Sequence, residues 1–307
     1  DTQAALSLAE RAFGLRPHTP WVLTTLLELQ SHAGRWSDAL STLRVAQRQK
    51  ALEGDTGKTR EAGLLLQQAR AARDSGDGRE AAKLAERASG ATENFVAAII
   101  FAGGQALALG RRSQAERLIT NAWAHNPHPA LAQYFNEIHS GEDALARAKH
   151  FEKLARHNPD HPESHLLLAS GALEAKLWGT ARTHLEAALK IRPSAGICRR
   201  LAHLEEIGHG DQEAARRWLL AASEAPPDPL WLCDACGTPA SDWTLACTTC
   251  GALDQINWRQ PAAPPPAALA AGADTPAQGS KQSATNRADT ASGPDLTPNG
   301  DKAPEPA

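Results

Sequence analysis

The sequence predicts an all-α solenoid of antiparallel helical hairpins, followed by a small metal ribbon and a disordered tail. Three observations carry this. Alanine and leucine are abundant while aromatic and β-branched residues are scarce, which favours helix over sheet. Alanines recur with a step of 34 residues, the signature of stacked hairpins. Four cysteines then fall in two C-x-x-C pairs just before a stretch dominated by proline, alanine, glycine, serine and threonine.

The solenoid is expected to span residues 1–229. Residues 1–17 read as the second half of a hairpin, and because the sequence opens at Asp1 without an initiator methionine, a further segment, membrane-directed or targeting, is expected before it. Complete units are expected from about 20, 62, 96, 128, 162 and 196. Ala5 and Ala12 return as Ala39 and Ala46, Ala81 and Ala88 as Ala115 and Ala122, and Ala181 and Ala188 as Ala215 and Ala222. Small residues at these places let paired helices approach closely. Pro17, Pro127, Pro159, Pro193 and Pro227 mark helix ends. Between Ala39 and Ala81 the step widens by eight residues, and the helix-breaking run Glu53-Gly54-Asp55-Thr56-Gly57 predicts a loop within Lys50–Thr59. The unit from 128 is the least regular, because Ser140-Gly141 cuts its first helix short.

This pattern resembles the tetratricopeptide repeat. Leu168-Ala169, Trp178, Ala181, Leu185, Ala188 and Pro193 occupy the offsets of one complete unit. The resemblance implies a concave face built from the first helix of each hairpin, suited to a partner protein's peptide segment. Projected onto that face are Leu66, Arg70, Arg73, Ile100, Leu107, Ile197, Arg200 and Leu204, part of which is expected to pack between helices instead.

The ribbon, residues 230–260, is carried by Cys233-Asp-Ala-Cys236-Gly237 and Cys247-Thr-Thr-Cys250-Gly251. Two chelating pairs supply four thiolates, and a glycine after each lets the backbone turn and aim amides at the sulfurs. Zinc is the expected ion, with iron the alternative, since four sulfurs in a tetrahedron suit both. Two disulfides are the weaker reading, because paired C-x-x-C units without a secretory signal favour metal. A closed four-cysteine site leaves no coordination position for water, so catalysis is not expected. Cys198, on an apolar helical stripe with Ile197, Leu201 and Leu204, reads as a core thiol. Trp231, Trp243 and Trp258 are expected to pack the ribbon against the last helices.

A formal charge of -3 with both signs interspersed provides no basic face for nucleic acid. No stretch reaches the roughly 18 apolar residues of a membrane span. His157, His161 and His165 have the spacing of axial haem ligands, but Pro159 and Pro162 interrupt any shared helix face, which favours an interhelix turn and leaves haem binding open. The stretch 261–307 reads as a disordered Pro/Ala-rich tail.

Hairpins followed at once by two knuckles resemble the HemY-like membrane proteins linked to haem biosynthesis in proteobacteria. The resemblance rests on His157-Asn-Pro-Asp-His161-Pro-Glu-Ser, Ala175-Lys-Leu-Trp178-Gly, and Trp231-Leu-Cys-Asp-Ala-Cys236-Gly through Cys247-Thr-Thr-Cys250-Gly to Trp258. It implies a non-catalytic scaffold at the inner membrane, with repeats and ribbon facing the cytoplasm and haem-biosynthetic enzymes among its partners. The membrane-anchored tetratricopeptide adaptor that regulates lipopolysaccharide synthesis has a similar layout, ending in a rubredoxin-like pair of knuckles, and a rubredoxin-like electron carrier is a further alternative.

Overall fold

The computed structural model describes residues 2–52, 54–92 and 95–261. The expected tail, 261–307, lies outside the described residues except for Pro261. Among the described residues there are thirteen α-helices and one three-stranded sheet. No helix among them is long and apolar enough to cross a membrane.

The fold is an all-α solenoid of the tetratricopeptide type. A single helix, α1 (Thr2–Leu15), precedes six hairpins: α2 (Pro20–His32) with α3 (Trp36–Arg48), α4 (Gly54–Asp74) with α5 (Gly78–Ala91), α6 (Val96–Ala108) with α7 (Arg112–His125), α8 (Pro129–Ile138) with α9 (Ala144–Ala155), α10 (Pro162–Glu174) with α11 (Trp178–Ile191), and α12 (Ala195–Leu204) with α13 (Gln212–Glu224). A π-helical turn, Glu205–His209, lengthens α12 before the chain reverses. The first helices of three hairpins begin with proline, whose missing N–H falls where the helix leaves a donor unpaired anyway. Asp77, Asp143 and Asp211 cap α5, α9 and α13 by accepting from the amide three residues on.

The repeating alanines lie where the helices touch. Ala39, Ala46, Ala81, Ala88, Ala115, Ala181 and Ala188 are wholly buried. The tight turn within a hairpin uses glycine in the left-handed region at Gly34, Gly76 and Gly110, whereas the turn after α10 places Lys176 there, at φ 58°.

The widened step is not a loop. The described part of 50–59 is helical from Gly54 onward, so the extra residues lengthen α4 to 21 residues. Gly57, without a side chain, lets this added turn lie against Gln47 and the Leu52 carbonyl, where a Cβ would come within 3.1 Å. Local propensity is overridden by packing, and the extension carries Arg60 into the interior.

After α13 the chain enters a small antiparallel sheet, β1 (Leu230–Cys233), β2 (Pro239–Ala240) and β3 (Ile256–Arg259), with β1 in the centre. Trp231 pairs with both Ala240 and Trp258, and Cys233 with Ile256. This ribbon does not pack on the last helices, as expected from sequence, nor does it form a separate body. It folds back over the first helices of earlier hairpins. Trp243 and Leu245 join a core shared with Leu27, Leu66 and Phe95, and the ribbon belongs to the same compact unit as the solenoid, 1–263.

Candidate metal centre

The two knuckles have matching local geometry. Gly237 donates its amide to the Cys233 carbonyl at 2.8 Å, and Gly251 does the same to Cys247 at 2.9 Å. Both glycines hold φ near the left-handed region, 72° and 74°, which an L side chain would resist. The cysteine amides close each loop by donating to Thr238 and Ala252 carbonyls.

The loops bring Cys233, Cys236, Cys247 and Cys250 together with all four sulfurs within 4.8 Å of one another. Cys233 faces Cys250 and Cys236 faces Cys247, each pair at 3.7 Å, and none forms a disulfide. The Thr238 side chain and amide draw the Cys236 thiol down to about 6. Cys250 is drawn down by the Ala252 amide but pushed up further by its three sulfur neighbours, to about 12. Four sulfurs this close cannot all ionise unless a cation sits among them, so the donor set fits a thiophilic ion such as zinc. Bound there, the ion would tie β1 to the second knuckle.

Docking of the ribbon is specific. Arg60 Nε donates to Asp254 Oδ2, and the two side chains are only 10% and 7% exposed. Burial raises the Asp254 carboxyl above its ordinary value, with Arg60 opposing. Gly63 of α4 lies under the ribbon, where a Cβ would meet Leu245 Cδ1 at 2.8 Å and the Trp243 ring at 3.2 Å. Trp243 stands edge-on to Phe95, with ring centroids 4.6 Å apart. Trp231 and Trp258 close on His128, with centroids 5.3 and 4.6 Å from its ring. His128 caps α8 by accepting from the Ala130 amide at 3.1 Å, and burial lowers its pKa to about 4.

The structure redistributes the expected groove residues. Leu66, Ile197 and Leu204 are buried in core clusters at 0%, 1% and 0% exposure, so they offer no surface to a partner. Ile100 and Leu107 are half-buried against the middle core. Arg70 is half-buried, and burial lowers its pKa, with Asp242 of the ribbon opposing. Arg73 is exposed and lies over the Phe101 ring. Arg200 is exposed and does line a groove. One residue of register rotates a helix by about 100°, enough to move a groove position into the core. His161 is an N-cap, accepting from Glu163, while His165 faces His184 with Nδ1 atoms 3.2 Å apart. Cys198 is a buried thiol with its pKa raised by burial.

The concave face stays open beyond the ribbon. A groove of about 560 Å³ runs along α10 and α12 to Trp258, lined by Leu166, Arg192, Arg199, Arg200 and His203, and a second of about 280 Å³ continues it along α8. Arg192 is paired with Glu163 and Arg199 with Asp228, whereas Arg200 makes no ion pair among the described residues.

No family model matches the chain. It is 33% identical over 207 residues to the "Probable magnetosome protein Mms48" of Magnetospirillum gryphiswaldense, an alignment covering 66% of this chain and 46% of that protein. The chain thus spans less than half the length of the curated relative it matches. Among solved structures it is similar to the C-terminal part of a TPR repeat-containing protein from Cytophaga hutchinsonii, with 10% identity, a TM-score of 0.40, and coverage of 73% of this chain and 91% of that one. It is also similar to MamA, with 14% identity, a TM-score of 0.35, and coverage of 51% and 92%. Both superpose loosely; the repeat architecture is carried by this chain's own hairpins.

Proposed function

We propose that this chain is a non-catalytic docking scaffold whose metal ribbon fills one part of the concave face and frames the rest as a partner site. The observation that carries this is the groove along α8, α10 and α12. It is apolar at Pro129, Ala132 and Leu166, cationic at Arg200, and closed at one end by Trp258 of the ribbon. Such a surface suits a peptide segment with an acidic group beside apolar side chains. The ion in the ribbon is zinc, with a structural role: it holds Trp258 and Trp231 in place rather than moving electrons.

The HemY-like resemblance gives the partner class: enzymes of haem synthesis, met at the cytoplasmic side of the inner membrane, where reduced thiols keep their metal. The likeness to a magnetosome protein favours a second reading, in which the same groove serves a magnetosome protein. The test is affinity capture of the native protein from its own cells, beside an Arg200→Glu variant with unchanged metal content. Recovery of haem-pathway enzymes, lost in the variant, supports the first reading, and recovery of magnetosome proteins the second. Partners retained equally by the variant would refute the groove, and iron with thiolate absorption in the purified protein would refute the structural zinc.

A further inference from the structure

Away from the ribbon, the short fourth hairpin holds a second group of metal-type ligands. His139 ends α8, Glu142 lies in the connection that follows, and His150 sits on α9, with one ligand atom of each within 4.8 Å of the others. Glu116 of α7 approaches from the preceding hairpin, its Oε1 3.6 Å from His139 Nε2. The irregularity of this repeat is what makes the cluster: α8 stops at Ile138, and the turn brings Glu142 back over His139.

His139 is only 1% exposed, and its Nε2 has no hydrogen-bond partner. Its Nδ1 lies 2.9 Å from Glu142 Oε1 and 2.8 Å from Arg112 Nη2, so the other edge of the ring is the one left unpartnered. Nε2 faces Glu116 Oε1 from just beyond hydrogen-bond distance. Glu142 Oε2 is likewise buried without a hydrogen bond, although His150 Nε2 is 3.1 Å away. The His139 and His150 rings stack at 4.0 Å. Buried polar atoms left without partners at one place call for an explanation, and a bound ion is one.

In the structure the nearest cation is Arg112. Its Nη2 is 2.8 Å from His139 Nδ1 and 2.7 Å from Glu142 Oε1, while its Nε donates to Glu116. The guanidinium reaches His139 Nδ1 and Glu142 Oε1 but leaves His139 Nε2 and Glu142 Oε2 without a hydrogen bond, so it satisfies the cluster only in part. Half-exposed, it is free to swing outward. We propose that His139, Glu142 and His150, with Glu116 alongside, form a second metal site that takes a divalent transition-metal ion through imidazole and carboxylate ligands, displacing Arg112 to the surface. Two imidazoles with carboxylates suit zinc, iron, cobalt or nickel over magnesium or calcium. The ion would clamp α8 to α9 across the shortest hairpin.

The experiment is a cobalt(II) titration of the full chain already carrying one zinc in its ribbon, read by elemental analysis after gel filtration and by absorption. One further cobalt per chain is expected, with weak visible bands and no thiolate-to-cobalt charge transfer. Glu142→Gln and His150→Ala should each weaken binding by about tenfold or more, since each removes a ligand. Arg112→Ala should tighten it several-fold by removing the competing cation. Should a ligand variant fail to fold, paramagnetic broadening of the His139 and His150 ring signals in the unaltered chain gives the same answer. Uptake of no cobalt by either the unaltered chain or Arg112→Ala would overturn the site. So would uptake accompanied by thiolate charge transfer, which means exchange at the ribbon, or affinity unmoved by both ligand variants.

Discussion

Replacing Arg60 by alanine tests whether the ribbon is held by one buried ion pair. Asp254 Oδ1 already lacks a hydrogen bond, and Arg60 is the ion-pair partner of Oδ2, so the variant leaves a carboxylate 7% exposed with neither oxygen paired. Breaking such a pair costs about 3–5 kcal/mol. The cost has a ceiling, because the carboxyl can take up a proton instead. With an ordinary value of 3.8, neutralising it at pH 7 requires about 4 kcal/mol, and each pH unit lower requires about 1.4 kcal/mol less. The sign follows from linkage. Without Arg60 the folded-state pKa rises further above the unfolded one, so the stability contribution is present at low pH and lost as pH rises through the folded value. The deficit relative to wild type should therefore be about 4 kcal/mol at pH 7 and about 3 kcal/mol at pH 6. Urea unfolding of the metal-loaded chain, followed by tryptophan fluorescence, measures it. Amide exchange over residues 231–259 shows whether the ribbon leaves the solenoid. A cost below about 1 kcal/mol, or one that grows as pH falls, would refute the reasoning. Arg60→Met combined with Asp254→Asn should recover most of the loss, asparagine tolerating the φ of 55° at that position.

Cys233→Ser with Cys247→Ser, or removal of the ion by a strong chelator, should abolish exchange protection over residues 231–259 while the helical far-ultraviolet signal persists, since the hairpins stack on one another. Retained protection would mean that packing alone holds the ribbon. His128 stays neutral in the fold, with its pKa lowered from 6.5 to about 4, while the unfolded chain gains a proton there below pH 6.5. Stability is thus lost as pH falls from 6.5 to about 4, by roughly 2 kcal/mol at pH 5, and His128→Asn, which keeps the helix cap, should remove that component from the measured pH profile. Lys176→Gly should raise stability by about 1 kcal/mol, seen as a higher melting temperature, because lysine holds a left-handed conformation that glycine adopts without strain.

Periodicity made the hairpins legible: the wholly buried alanines are the residues that recur, and capping aspartates and prolines stand at the helix ends. The four cysteines were equally plain, because two-residue spacing and a following glycine are local properties of a knuckle. The added turns of α4 were not. Gly54 and Gly57 discourage helix in isolation, and only the fit of Gly57 against Gln47 and Leu52 reverses that. Nor did three groove positions survive, since the side of a first helix that meets its partner differs by a single residue from the side that faces outward.

Gly63 in the middle of α4 was the one available sign that something lies close against that helix, but a glycine does not say what. By itself the sequence determined the order of the hairpins and the pairing of the four cysteines into two knuckles, because both follow from interactions between residues near in the chain. The tertiary structure decided where the ribbon docks, which arginines are paired within the protein and which line a groove unpaired among the described residues, and that His139, Glu142 and His150 meet. Those outcomes depend on contacts such as Arg60 with Asp254, separated by 194 positions, for which no local spacing carries a signal.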